Sequence, residues 1–169
     1  PFVRNAQSLQ RVVDHVQIVQ EAMGRPLAVE NPSHYLAMAG HTWDEVDFLC
    51  ELVRRSGCQL LVDVANVHLS AHNLGFVAEI WLDRLPADAV AEVHLAGHSA
   101  DPRLGEALWI DSHDAPVDEG TWALYRRLMK RIGPRPTLIE WDGPLPAFEA
   151  VLAEADNARR ILATVEAVS

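Results

Sequence analysis

Cysteine is scarce in this chain: Cys50 and Cys58 are two of 169 residues, and no CxxC occurs. So few thiols exclude a disulfide framework, and both read as small buried apolar residues compatible with a reducing compartment. Positive charge is short as well, because 14 Lys plus Arg against 24 Asp plus Glu leave a formal charge of −10. That balance disfavours nucleic acid and anionic membrane surfaces, which both select for basic patches. Asp63, Glu92 and Glu140 interrupt the longest apolar runs, so none reaches the roughly 20 residues of a membrane-spanning helix. The opening PFVRNAQSLQ lacks a basic flank followed by an apolar stretch, and no linker or low-complexity segment follows. The expectation is one soluble, cytoplasmic domain over residues 1–169, with neither nucleic acid nor membrane as a partner.

What the chain does contain is an alternation of helix-like and strand-like segments. Leu9, Val12, Val13, Val16, Ile18 and Val19 predict a helix over Gln7 to Met23, stopped by Gly24 and Pro26. Leu27 to Asn31 predicts a short buried strand, and Asn31-Pro32-Ser33 a turn. Thr42 is the expected cap of a second helix ending near Ser56, with Glu45 in capping-box position. Gln59 to Val67 reads as one continuous strand buried on both faces, as parallel sheets require. Phe76 to Leu85 is helix-like up to Pro86, and Ala89 to Leu95 is the next strand. Gly97 to Leu108 is too polar and glycine-punctuated for a helix, while Leu108 to Ser112 reads as a short strand or an ordered loop. Val117 to Ile132 is an amphipathic helix, Thr137 to Trp141 a strand, and Pro146 to Val168 a long final helix. Such alternation means βα units and parallel pairing. The expected fold class is α/β, a TIM-type (β/α) barrel. A whole barrel takes roughly 250 residues, so about five βα units amount to its carboxyl-terminal half to two-thirds.

Metal-binding side chains fall where these strands end: LAVEN (27–31), LLVDVAN (60–66), VHLAGH (93–98) and LIEWD (138–142), with LWIDSHD (108–114) adding an Asp and a His two residues apart. In a parallel barrel the carboxyl ends converge on one mouth, which would gather Glu30, Asp63, Asn66, His94, Asp111, His113 and Glu140 into one pocket. Each residue alone has a plainer reading. Glu30, as a buried carboxylate, needs pairing, hydrogen bonds or a metal. Asp63 and Asn66 alternate to opposite faces unless the strand has ended, and either would serve as a cap. His94 shares a face with Glu92 and is a candidate core histidine; Glu140 is a candidate salt-bridge residue. It is the recurrence at every strand end that favours metal. His98, beyond its strand, is placed against substrate or against a ligand. His15, His34, His41 and His72 are assigned surface roles, with His34 and His72 in loops; His68 would at most line the pocket. Trp43, Trp81, Trp109 and Trp122 read as packing residues. Carboxylates, imidazoles and an amide without thiolate suit Fe, Mn, Co or Zn rather than Cu(I), and the surplus of ligands suits two or three bridged ions.

Glu30-Asn31-Pro32-Ser33, Asp63-Val64-Ala65-Asn66-Val67, Glu92 to His98, Ile110 to Val117 and Leu138 to Asp142 together resemble the successive signatures of the multinuclear non-haem iron-dependent oxidative enzymes, methanobactin-biosynthesis type. The resemblance implies a xylose-isomerase-like TIM barrel holding two or three irons in mixed valence. It implies an oxygen-dependent oxidoreductase that remodels cysteines of a ribosomally made peptide, often with a leader-peptide-binding partner protein. Iron ligation then falls to Glu30, Asp63, Asn66, His94, Asp111, His113 and Glu140, and the chemistry to His98, Asp111 and His113. The chain departs from the family in lacking histidines on earlier strands, and in having His68 and Leu74 where many members have tyrosine and a later histidine. The alternatives are a Mn- or Zn-dependent isomerase, epimerase or phosphodiesterase on a related barrel, and a non-catalytic barrel fragment that pairs with a second copy through its strand edges.

Overall fold

Apolar runs too continuous for a half-exposed strand demand cover on two sides, and the structure supplies helices for one of them. A computed structural model describes residues 2–167. The chain runs α1 (Ala6–Met23), β1 (Ala28–Glu30), α2 (Glu45–Ser56), β2 (Gln59–Asp63), α3 (Val64–Leu74), α4 (Ala78–Asp83), β3 (Val90–Leu95), β4 (Ser99–Asp101), β5 (Gly105–Ile110), α5 (Glu119–Ile132), β6 (Thr137–Ile139) and α6 (Phe148–Glu166). Strands β1, β2, β3 and β6 form one parallel sheet in that order, and β4 with β5 an antiparallel hairpin. Among the described residues the sheet is open, with β1 and β6 at its edges.

The register separates the two faces of the sheet. Val29 lies opposite Leu60, Val62 opposite Val93, and Leu95 opposite Ile139. Leu60, Val62, Val93 and Leu95 join Tyr125, Leu128 and Met129 of α5 in the main core. Full burial of each such aliphatic side chain contributes about 1.5–3 kcal/mol. A smaller cluster packs α1 on α2 through Leu9, Val13, Val16, Phe48 and Leu52. The opposite face carries Leu61, Glu92, His94 and Leu138, and Leu138 is 43% exposed.

Several expectations are corrected. The fifth strand, Leu108 to Ser112, does not join the parallel sheet: Leu108–Ile110 belong to β5 and run antiparallel to β4. The parallel βα content is therefore four strands rather than five. The strand predicted to reach Val67 stops at Asp63, whose carboxylate accepts the Asn66 N–H at 2.7 Å and so caps α3. Helix α3 is buried on most sides, polar Asn66 and Ser70 included, and begins inside an apolar run that hid its period; His72, expected in a loop, lies in its last turn. Asp44, not Thr42, caps α2 by accepting the Asp47 N–H at 2.8 Å. Thr42 N–H and Trp43 N–H are instead taken by the Arg4 carbonyl, which holds Thr42 away from the helix start. Cys50 is only half-buried, Cys58 is buried, and both are free thiols. The last helix begins at Phe148; its predicted end, Val168, lies outside the described residues. Among the described residues no helix is long and apolar enough to cross a membrane.

Candidate metal centre

Strand pairing alone builds one half of the site. Glu30 lies opposite Leu61, Asp63 opposite His94, and His94 opposite Leu138. Side chains two residues apart share a face, so Glu30, Asp63, His94 and Glu140 all emerge on the face away from the helices. One ligand atom from each lies within 4.8 Å of the other three. His94 Nδ1 is 3.1 Å from Glu140 Oε2 and 4.0 Å from Glu30 Oε1, and its Nε2 is 3.5 Å from Glu92 Oε1. Glu30 departs from its expected burial, since its side chain is 44% exposed at the edge strand.

The loop after β5 supplies the other half. His113 Nδ1 lies 3.6 Å from Glu140 Oε2 and 3.5 Å from Asp142 Oδ2, and its Nε2 2.6 Å from Asp111 Oδ1. His113, Glu140 and Asp142 also offer ligand atoms within 4.8 Å of one another. Glu140 thus belongs to both groups, the placement of a bridging carboxylate. His113 has φ of 48°, a left-handed conformation that costs of order 1–3 kcal/mol in a non-glycine residue. Asp142 N–H and Gly143 N–H both donate to its carbonyl, tying this loop to the exit of β6. Glu30, Asn66, Asp111, His113 and Glu140 line an open cavity of about 310 Å³.

Hydrogen bonding leaves this cluster unfinished. Asp63 spends Oδ1 on the cap, while Oδ2 is buried without a hydrogen-bond partner, as are Asn66 Oδ1 and both ring nitrogens of His113. The 2.6 Å approach of His113 to Asp111 is therefore not aligned as a hydrogen bond. Each buried polar atom left unpaired costs about 1–3 kcal/mol, and here they converge with carboxylates and imidazoles. A divalent cation would satisfy such a donor set, and carboxylates and imidazoles without a thiolate among the described groups would match a borderline to hard ion. Burial raises the Asp63 carboxyl to about 7, and raises that of Glu30 too. The Asp111 contact raises His113 to about 9. Burial opposes ionisation of Asp111, yet its contacts with His113 and Ser33 outweigh that and hold it below the usual range.

All seven predicted ligand positions thus lie around one mouth, with Asn66 turned inward from the first turn of α3. Two residues were missed. Asn31 clamps β1 to β2: its Nδ2 donates to the Asp63 carbonyl, its Oδ1 accepts the Asp63 N–H, both at 3.0 Å, and its carbonyl accepts from Asn66 Nδ2 at 3.1 Å. Its signal was an Asn directly after the strand-end Glu30. Asp142, two residues past Glu140, was quoted in its motif but not assigned as a ligand. His98 lies apart from both groups, stacked on Trp109 at 4.1 Å. Trp109 is more than packing: it also stacks on His72 at 3.8 Å and meets the edge of His68. His34, assigned a surface role, instead bonds Glu45 at 2.5 Å.

Residues 1–163 match a family model described as the RiPP precursor modification enzyme MbnB/TglH/ChrH. The chain is 55% identical over 162 residues to a UPF0276 protein of Caulobacter sp. strain K31, an alignment covering 96% of this chain and 58% of that protein. It is 48% identical over 164 residues to a UPF0276 protein of Paraburkholderia phytofirmans, covering 96% and 53%. With a UPF0276 protein of Rhizobium meliloti the identity is 44% over 163 residues, again covering 96% and 53%. The chain spans a little over half the length of these curated relatives.

Proposed function

The chain belongs to the RiPP precursor modification enzyme family MbnB/TglH/ChrH, and from that premise we propose that it carries the metal centre of an iron- and oxygen-dependent oxidoreductase acting on cysteines of a ribosomally synthesised peptide. The observation that carries the reading is Glu140, shared by two ligand groups that contain buried atoms without hydrogen-bond partners, Asp63 Oδ2 in one and both ring nitrogens of His113 in the other. Glu30, Asp63, His94 and Glu140 would hold one iron; His113, Glu140 and Asp142, with Asp111 and Asn66 beside them, a second, and the surplus of donors leaves room for a third. Bound iron in mixed valence would supply one-electron chemistry with oxygen and acidify a coordinated thiol.

The chain's own residues do the rest. Asn31 and the α3 cap fix Asp63, so that ligand does not reorganise when an ion enters. Asp111 and His113 would orient the thiol-bearing residue at the cavity, and His98 would accept its proton. Among the described residues no Lys or Arg lines the cavity, which disfavours a phosphate substrate. The parallel strands would form the carboxyl-terminal part of a TIM-type barrel, which places this mouth where barrel enzymes carry their chemistry. A leader-peptide-binding protein would deliver the peptide in the cytoplasm.

Anaerobic reconstitution with ferrous iron tests the reading on this chain and on a full-length relative. Two or more irons per chain are expected, lost in Glu140→Ala and His113→Ala. Ion at a hundredfold excess over Kd should stabilise the fold by about 2.7 kcal/mol. One redox-silent zinc or magnesium, or turnover of a cysteine peptide without oxygen, would sink the proposal in favour of Lewis-acid chemistry.

A further inference from the structure

Beside the metal mouth, but outside its ligand groups, two imidazoles converge on one carboxylate. Asp118 precedes α5 and accepts the Gly120 and Thr121 N–H groups on Oδ1, at 2.7 and 3.1 Å, and the Thr121 hydroxyl on Oδ2 at 2.6 Å. His68 Nδ1 approaches Oδ1 at 3.4 Å and His98 Nδ1 approaches Oδ2 at 3.5 Å. A helix cap needs only the first two of these contacts.

The surroundings hold both rings to that arrangement. A Cβ on Gly120 would lie 2.3 Å from His68 Cε1, so only glycine lets this ring lie against the helix start. A Cβ on Gly97 would lie 1.9 Å from the Ala115 carbonyl oxygen, so glycine also permits the close backbone packing just before His98. Trp109 stacks on the His98 ring. His98 Nδ1 is buried and makes no hydrogen bond in this structure; the Asp118 Oδ2 it approaches lies 3.5 Å away, whereas Nε2 is not buried in this way.

We propose that Asp118 is a positioning residue: it fixes the proton of His98 on Nδ1, so that Nε2 presents a lone pair to the substrate. The chemistry is that of an orienting carboxylate behind an imidazole base. An ionised carboxylate only accepts hydrogen bonds, so the nitrogen facing it must bring the proton. Burial opposes ionisation of Asp118, but its contacts with His68 and Thr121 hold the carboxyl well below the usual range. Burial also lowers His98, against the upward pull of Asp118 and Glu106, with His68 and His72 adding to the lowering. A neutral ring with a free Nε2 results. The substrate thiol would give its S–H proton to Nε2 while sulfur keeps the bonding pair. This role rests on the function proposed above; the tautomer itself does not.

The test is the substitution Asp118→Asn, read by 15N NMR of the histidine side chains in the metal-free protein. Asparagine is an equally good cap, and its amide oxygen would take the position facing the two backbone N–H groups. Its NH2 would then face His98 Nδ1 and force the proton onto Nε2. The expected result is an Nδ1–H signal for His98 in the parent and an Nε2–H signal in a folded Asp118→Asn. A parent already protonated on Nε2, or a variant that keeps Nδ1–H, would overturn the positioning role whether or not iron is the metal. Stopped-flow binding of N-acetylcysteine amide to the ferrous-loaded protein under nitrogen reads the second half, with a slowing of about 100-fold or more expected in Asp118→Asn. A tautomer switch with no slowing would remove His98 as the proton acceptor.

Discussion

The two faces of the parallel sheet are built from the same strands one residue out of step, and they differ in almost every physical respect. On the helix-facing side Val62, Val93 and Leu95 are fully buried in the core shared with α5. On the other side Glu92, His94 and Leu138 keep contact with solvent, and the strand ends crowd carboxylates around imidazoles with buried atoms unpaired. Stability is stored on the first face, and the proposed metal chemistry belongs to the second. The period of two along a strand keeps them apart, so a substitution should report which face it belongs to.

The largest effect is expected from Leu95→Ala. The side chain is fully buried, and its removal leaves a cavity against the core of α5. Urea unfolding should show a loss of about 2–5 kcal/mol, with iron binding by the remaining folded protein unchanged. A fall in iron affinity matching the fall in stability would break the separation, because it would make the core part of the metal site.

At the mouth the sign should reverse. Asp63→Asn preserves an acceptor for the Asn66 N–H, yet removes a carboxylate whose second oxygen is buried and unpaired. In the metal-free protein at neutral pH, stability should stay level or rise by about 1–3 kcal/mol, while iron binding is lost. This is the trade of stability against activity expected at a ligand site. A destabilised variant would show that Asp63 is there for structure.

The same contrast explains what was legible in the sequence. The strand-end motifs were readable because a parallel sheet brings its carboxyl ends together, whatever the rest of the chain does. Helix α3 was hidden because it begins inside an apolar run, with Val64, Ala65 and Val67 as buried as the strand before them. Only Asp63, acting as a cap, marked the change. The β4–β5 hairpin was hidden for the opposite reason: no residue of β5 is buried, so no alternation betrayed it, and its turn is made by Asp101 accepting the Arg103 and Leu104 N–H groups. The Asp118 network was unreadable because His68, His98 and Asp118 come from three separate segments.

The smallest expected effect tests whether the face exposed here is also exposed in a full-length relative. Leu138 lies directly opposite His94 on β6 and is 43% exposed, so Leu138→Ala in this chain removes little buried area. At about 25 cal/mol per Å² of apolar surface the loss should stay below about 1 kcal/mol. A leucine set at the matching position of a full-length relative would behave differently if further strands closed the barrel over this face. There the same truncation should cost about 2–5 kcal/mol, like Leu95→Ala here. Equal, small losses in both proteins would mean that the inner face stays open, and that the extra length of the relatives folds elsewhere than over the metal mouth.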